Sequence, residues 1–244
     1  MTNTIVQELS EQTVIVLGGS AGIGFETARR ARAAGANVVL TGRNPERLKR
    51  AALELQAGGS AAFDATDSAA LRGFFAGLRT PVDQVMVTAG APHYGPLLGM
   101  SIQDVKSALS GALSLAVEVS QLAVNRVRAG GSLIFVSGTN RRPRADLGVV
   151  SSNAAAFPTL VATLALELAP IRVNLIAAGF VDTDLSASLL GAKLDERRNE
   201  LRSTLPIRRV VKPSDVAALA VHLMANTALT GATYDIDGGQ QLIA

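Results

Sequence analysis

The residues best suited to chemistry begin with Gly18-Gly19-Ser20-Ala21-Gly22-Ile23-Gly24, directly after a short β-branched run. At these spacings Gly18 permits a sharp turn, Gly22 lets backbone approach a pyrophosphate, and Gly24 lets a helix meet a strand closely. The N–H groups that open the helix then face the phosphates, helped by the helix dipole. Ser20 and Ile23 lie inside the same loop. No Lys-Ser/Thr pair follows the glycines, which disfavours a P-loop NTPase. The loop reads as a dinucleotide cradle; a plain strand-to-helix turn is the alternative.

The end of the second β-branched run decides which dinucleotide. A carboxylate there would accept hydrogen bonds from the ribose hydroxyls of NAD. This chain has Thr41-Gly42-Arg43 instead. Arg43 can pair with a 2′-phosphate, which favours NADP(H); the other reading leaves Arg43 in solvent. Further candidates are sparse. There is no cysteine, so disulfides and thiolate metal sites are excluded, and no metal site is expected. The tyrosines are Tyr94 and Tyr234. His93 and Tyr94 follow Thr88-Ala89-Gly90 and could reach a substrate, or could be ordinary loop residues covering a pocket. Arg141, Arg142 and Arg144 form the one tight basic cluster, able to hold an anionic substrate or simply to be solvated.

These residues need a frame, and the pattern supplies one. Strands are expected at Thr13–Leu17, Asn37–Thr41, Ala61–Phe63, Val82–Thr88, Ser132–Val136, Ile171–Ala177 and Thr233–Ile236. Between them helices are expected over Ile23–Ala34, Pro45–Ala57, a segment capped by Asp67 or Ser68, Ile102–Arg128, Ser152–Ala169, and a last one from near Ser214 to near Ala225. Pro158 should make the fifth helix start late or bend. Asp184–Thr204 is less regular. Strands alternating with helices imply right-handed crossovers and a parallel sheet of about seven strands, covered on both faces. The expectation is a doubly wound, Rossmann-type α/β fold in one domain over residues 1–244.

Composition agrees. Hydrophobic residues are 48% and aromatics 4%, so the core is built from Ala, Val, Leu and Ile. Mean hydropathy is +0.29. The longest apolar candidate, Ala154–Leu166, stops at Glu167, short of a membrane span, and Met1–Gln12 has no signal pattern. A cytoplasmic protein is expected. The pI is near 9.7 but the net charge is only +3 and its charges are scattered, so no nucleic-acid partner is expected.

From about Thr13 to Gly239 the chain resembles the short-chain dehydrogenase/reductase family. The glycine loop is similar to Thr-Gly-x-x-x-Gly-x-Gly, with Leu17 for Thr. Asp64, beside Ala65, matches the Asp that meets the adenine ring. Thr88-Ala89-Gly90 matches Asn-Ala-Gly, and Ser137 the catalytic Ser. Arg172-Val-Asn174 followed by Ala178-Gly179-Phe-Val181-Asp-Thr183 is similar to the segment holding the nicotinamide, with Ala for Pro. Asp237-Gly-Gly239 matches the C-terminal turn, and residues 184–204 the substrate lid, with Leu185, Leu189, Leu190 and Leu194 as liners. The resemblance implies NADP(H), a small-molecule substrate and a homo-oligomer, dimer or tetramer, through the fifth helix.

The departure is at the chemistry. The family's Tyr-x-x-x-Lys falls on Val150 and Ala154, and Val149–Ala156 contains neither Tyr nor Lys. The family's helix Asn falls on Ala108. Of the catalytic set only Ser137 remains, with His93 or Tyr94 as substitutes for the proton carrier. Two readings follow: an NADP(H)-dependent oxidoreductase of atypical mechanism, acting on a carbonyl or alcohol, and a catalytically silent NADP(H)-binding regulator or partner subunit.

Overall fold

In this computed structural model residues 8–79, 81–90, 94–139, 145 and 147–243 are described. Seven strands form one parallel sheet: β1 (Thr13–Leu17), β2 (Asn37–Gly42), β3 (Gly59–Ala62), β4 (Val82–Val87), β5 (Val127–Gly138), β6 (Arg172–Ala178) and β7 (Thr233–Ile236). Their order is β3-β2-β1-β4-β5-β6-β7, so strand order reverses between β1 and β4. That is the doubly wound Rossmann-type topology.

Alternation along each strand explains the two layers. Ile15, Leu17, Val85, Val87, Leu133, Phe135, Val173 and Leu175 form one face. They meet α3 (Ser68–Ala76), α4 (Ile102–Ala123) and α5 (Gly148–Glu167). Val14, Val16, Val38, Leu40, Met86, Ile134 and Ile176 form the other face. They meet α1 (Gly22–Ala33), α2 (Pro45–Glu54) and α8 (Pro213–Ala225). Residues buried on both faces read as continuous apolar runs, as in residues 14–17 of β1, whereas β4 is buried at all six positions with Asp83 and Gln84 among them.

Local chemistry sets the ends. Asn44 Oδ1 accepts from Arg47 N at 2.9 Å before Pro45 opens α2. Asp67 Oδ1 accepts from Ala69 N and Ala70 N, so Asp67 is the cap of α3. Asp215 Oδ2 accepts from Lys212 N at 2.9 Å, which starts α8 at Pro213.

Several boundaries depart from expectation. Helix α4 stops at Ala123 rather than Arg128, because Arg126 turns away to cap α3 through the carbonyls of Ala76 and Leu78. Val127 then pairs with Val82, and β5 begins five residues early. Helix α5 starts at Gly148, four residues before Ser152, and continues through Pro158. By length and composition α5 is long and apolar enough to cross a membrane, contrary to the sequence expectation. Its Phe157, Val161 and Leu164 are buried against the sheet, as in a core helix. The irregular stretch resolves into α6 (Asp184–Leu190), a short 3-10 turn and α7 (Leu194–Thr204), and α9 (Gln240–Ile243) follows β7.

Arg172 and Asn174 sit toward the N-terminal end of β6, away from the glycine loop. The Arg172 guanidinium is buried and donates to five backbone carbonyls, of Gly130, Leu223, Met224, Asn226 and Leu229. Burial pulls its pKa below the ordinary arginine value. Asn174 Nδ2 donates to the Leu229 carbonyl. Both residues tie β6 to the end of α8 and the loop beyond it, a structural task.

Candidate functional site

The C-terminal ends of β1 and β4 open at the point where strand order reverses, the place where open α/β sheets bind ligands. Gly18 has φ +93°, and a Cβ there would lie 2.7 Å from Thr88 Oγ1 and 2.9 Å from Ala89 N. A Cβ on Gly24 would press into the Gly18 carbonyl oxygen. Gly22 has φ +55° and open space above it, bounded by the Thr183 methyl 3.6 Å from a notional Cβ. Ala21, the residue before α1, offers no side-chain cap. The first N–H groups of α1 are therefore left for an external acceptor. These N–H groups and the side-chain-free space at Gly22 fit a pyrophosphate.

Thr88 was not singled out as a positioning residue by sequence. Its hydroxyl meets the carbonyl oxygens of Leu17 and Gly18 at 3.1 and 3.2 Å, and its N–H donates to Leu17 O at 2.8 Å. On the other side, Gly18 N and Gly19 N donate to Thr41 O. The loop is thus pinned from both neighbouring strands. A Cβ on Gly42 would lie 2.8 Å from Ser20 Oγ, so Ser20 stands over the end of β2, next to Arg43.

Arg43 is mostly exposed, and its Nη1 lies 4.0 Å from Asp64 Oδ2. At that distance and exposure the pair contributes little, which leaves the guanidinium available to another anion. Asp64 Oδ1 accepts from the backbone N–H and hydroxyl of Thr66 at 2.9 and 2.8 Å. These bonds, with Arg43 a lesser influence, hold the carboxyl below the usual aspartate range. Ala65 beside it is buried, while Ala89 is half-buried and Gly90 exposed at the end of β4.

Gly179, Val181 and Thr183 follow β6. Gly179 has the Asp237 side chain against it, and Phe180 N donates to Gln240 Oε1 at 2.9 Å. Asp237 is held by Gly239 N and Gln241 N, which explains the Asp-Gly-Gly turn. Thr183 Oγ1 caps α6 by accepting from Ser186 N at 3.1 Å, and Ser186 Oγ donates to Val181 O at 2.5 Å. Arg198 on α7 grips Asp182 with Nη2 at 2.7 Å and Nε at 3.2 Å. Ser186 and Arg198, unmarked in the sequence reading, therefore lock residues 184–204 onto the segment beneath them. Leu185 and Leu189 remain exposed on α6, and Leu190 and Leu194 half-buried.

The reacting end is apolar. Ser137 is half-buried at the end of β5, opposite Ala177 of β6. Val150 is half-buried and Ala154 buried. Neither side chain can carry a proton. Ala108 is also buried, and Asn153 Nδ2 donates to its carbonyl at 2.9 Å, docking α5 on α4. Asn153→Leu, which keeps the volume and loses this bond, is expected to cost about 1 kcal/mol, read from the urea midpoint at unchanged m. Tyr94 is 49% exposed, and partial burial pushes its phenol above the ordinary tyrosine value, so it stays protonated at neutral pH. Leu97 lies against Gly148, bringing the segment after Tyr94 to the start of α5. His93, Arg141, Arg142 and Arg144 lie outside the described residues. Among the described residues no cluster of His, Asp or Glu could hold a metal ion.

Set beside known proteins, residues 18–241 match the family described as enoyl-(acyl carrier protein) reductase. An uncharacterized oxidoreductase of Mycobacterium tuberculosis is 32% identical over 95% of this chain and 92% of its own length. The 3-oxoacyl-[acyl-carrier-protein] reductase FabG of Chlamydia trachomatis is 31% identical over 95% of this chain and 98% of its own. Among solved structures, BdcA in complex with NADPH aligns with a TM-score of 0.83 at 28% identity, covering 95% of both chains. The fold and these matches make the protein an oxidoreductase-type α/β domain. The chain belongs to the short-chain dehydrogenase/reductase family.

Proposed function

We propose that this chain is an NADP(H)-dependent oxidoreductase that moves hydride between a nicotinamide and a carbonyl or alcohol substrate, without the family's Tyr–Lys pair. The observation that carries the reading is the cradle itself. Gly18, Gly22 and Gly24 leave no room or no allowed backbone for larger residues, beside an uncapped helix start. Bound NADP(H) supplies or accepts the hydride. In this reading Gly18, Ser20, Gly22, Ile23 and Gly24 hold the pyrophosphate, Asp64 and Ala65 meet the adenine, and Ala89 and Gly90 border the cofactor. Gly179, Val181 and Thr183 hold the nicotinamide end, and Ser137 donates a hydrogen bond to the substrate oxygen. The NADPH seen in BdcA, 28% identical, supports the choice of cofactor.

Arg43 is the residue that would select the 2′-phosphate, since it stands exposed beside Ser20 and is only loosely paired. Charge-assisted hydrogen bonds contribute about 1.5–3 kcal/mol. Arg43→Ala is therefore expected to weaken NADPH binding roughly 10- to 100-fold while leaving NADH binding nearly unchanged. Parallel calorimetric titrations with the two nucleotides check this. An unaltered ratio of affinities would remove Arg43 from the account.

A second reading is favoured by Val150 and Ala154: a silent NADP(H)-binding regulator or partner subunit. It expects tight NADPH binding and no hydride transfer to any acceptor. We further propose a cytoplasmic homo-oligomer, dimer or tetramer, assembled through the outer face of α4 and α5. Exposed Ile102, Leu109, Val124 and Leu166 support that face, as does the depression between Leu113, Val117, Ala156 and Leu160.

A further inference from the structure

We infer that Ser186 is a positioning residue for the cofactor: its hydroxyl holds the Thr183 side chain turned away from the glycine loop, and NADP(H) displaces that hold when it binds. Ser186 has this task only where the NADP(H) reading holds, and it then sets how tightly the nucleotide is taken up. Proton counting leads to the assignment. A hydroxyl has one proton to give and two lone pairs to receive others. Ser186 Oγ lies 2.5 Å from Val181 O, and a carbonyl only accepts, so the Ser186 proton is used there. The 3.0 Å contact between Thr183 Oγ1 and Ser186 Oγ must then take its proton from Thr183. Thr183 Oγ1 also accepts from Ser186 N at 3.1 Å, as the cap of α6. Its single proton is therefore committed to Ser186.

The side chain is also turned the wrong way for a phosphate. A Cβ on Gly22 would meet the Thr183 methyl at 3.6 Å and the Thr183 Cβ at 3.8 Å, with Oγ1 farther away. The open space above Gly22 is thus faced by a methyl group. Pyrophosphate oxygens are ionised and only accept hydrogen bonds. To donate to one, Thr183 must swing about 120° to a neighbouring rotamer and withdraw its hydrogen bond from Ser186 Oγ. Ser186 N then loses its acceptor, and the first turn of α6 its cap. The segment beneath stays in place. Val181 bridges to Val211, Asp182 N donates to Val211 O, and Arg198 grips the Asp182 carboxylate. The change is confined to one side chain and the start of α6, the helix that carries exposed Leu185 and Leu189. Cofactor binding and the lid are coupled through these two hydroxyls, so weakening the hold tightens binding, and bound nucleotide frees the start of α6.

The test is a double-mutant cycle on the full chain, with NADPH affinity read by calorimetry. Ser186→Ala removes the acceptor that holds Thr183, so one hydrogen bond fewer is lost on binding. The Kd for NADPH should fall roughly 3- to 10-fold. A residue with a merely structural role would, on truncation, weaken binding or leave it alone. Ser186→Thr keeps the hydroxyl and should keep the wild-type Kd. Thr183→Val has no hydroxyl to release, so NADPH should bind more weakly and an added Ser186→Ala should change nothing further. Hydrogen exchange across residues 184–190 of the wild-type protein should quicken when NADPH saturates it, while the amides that open α1 gain protection. An unchanged or higher Kd in Ser186→Ala would overturn the role of Ser186 and leave the NADP(H) reading standing. A tightening that persists beside Thr183→Val, or slower exchange across 184–190 on binding, would do the same. No binding of NADPH to the wild-type chain or to any variant would sink both.

Discussion

Gly24→Ala is expected to raise the Kd for NADPH by at least roughly 100-fold and to lower stability by about 1–3 kcal/mol, the usual range for overpacking. A methyl group there meets the Gly18 carbonyl oxygen and, at 2.5 Å, Thr88 Oγ1. Neither neighbour can yield cheaply. Gly18 is held by Thr41 O, and the Thr88 hydroxyl is engaged with two carbonyl oxygens. The start of α1 must therefore tilt away, and its N–H groups leave the place a pyrophosphate would occupy. Two charge-assisted hydrogen bonds lost at about 1.5–3 kcal/mol each account for the 100-fold. Titration calorimetry reads the affinity and urea unfolding the stability. A folded variant with unchanged Kd would mean that this loop is only a turn.

Arg172→Met is expected to be the most destabilising substitution, at about 3–5 kcal/mol, comparable with breaking a buried ion pair. The buried guanidinium has no carboxylate partner among the described residues; it satisfies five carbonyls drawn from β5, the end of α8 and the following loop. Methionine fills the volume and leaves those acceptors unpaired, each costing about 1–3 kcal/mol before relaxation. Arg172→Lys keeps the charge but lacks the planar fork, so an intermediate loss is expected. Because Arg172 sits at the far end of β6 from the glycine loop, NADPH affinity of the folded protein should be unaffected. Equilibrium denaturation checks the first point and calorimetry the second. A fall in affinity alone, with stability preserved, would place Arg172 in the site instead.

The frame was legible because it rests on local pattern. Buried strands such as Thr13–Leu17 read as apolar runs, and Asn44 and Asp67 announce their helices through short side-chain caps. Errors arose where distant partners decide. Arg126 ends α4 by reaching the carbonyls of Ala76, the last residue of α3, and of Leu78 just beyond it, the latter 48 residues away in sequence. Helix α5 runs through Pro158 because packing against the sheet outweighs one missing donor. In the site, the glycines and Arg43 were visible as residue types at fixed spacing. Thr88 was visible only as the residue standing for Asn in the turn after β4, and Ser186 and Arg198 were not visible, since hydroxyls and arginines are common and only tertiary contact gives these three their positioning tasks.

The central question for this molecule is whether the cradle takes NADPH. Calorimetric titration of the full chain with NADPH and with NADH is the measurement. Saturable binding of NADPH, about 10-fold or more tighter than NADH, is the predicted result, as expected where one further anion meets an arginine. No heat of binding for either nucleotide at millimolar concentration would mean that the loop is not a dinucleotide cradle.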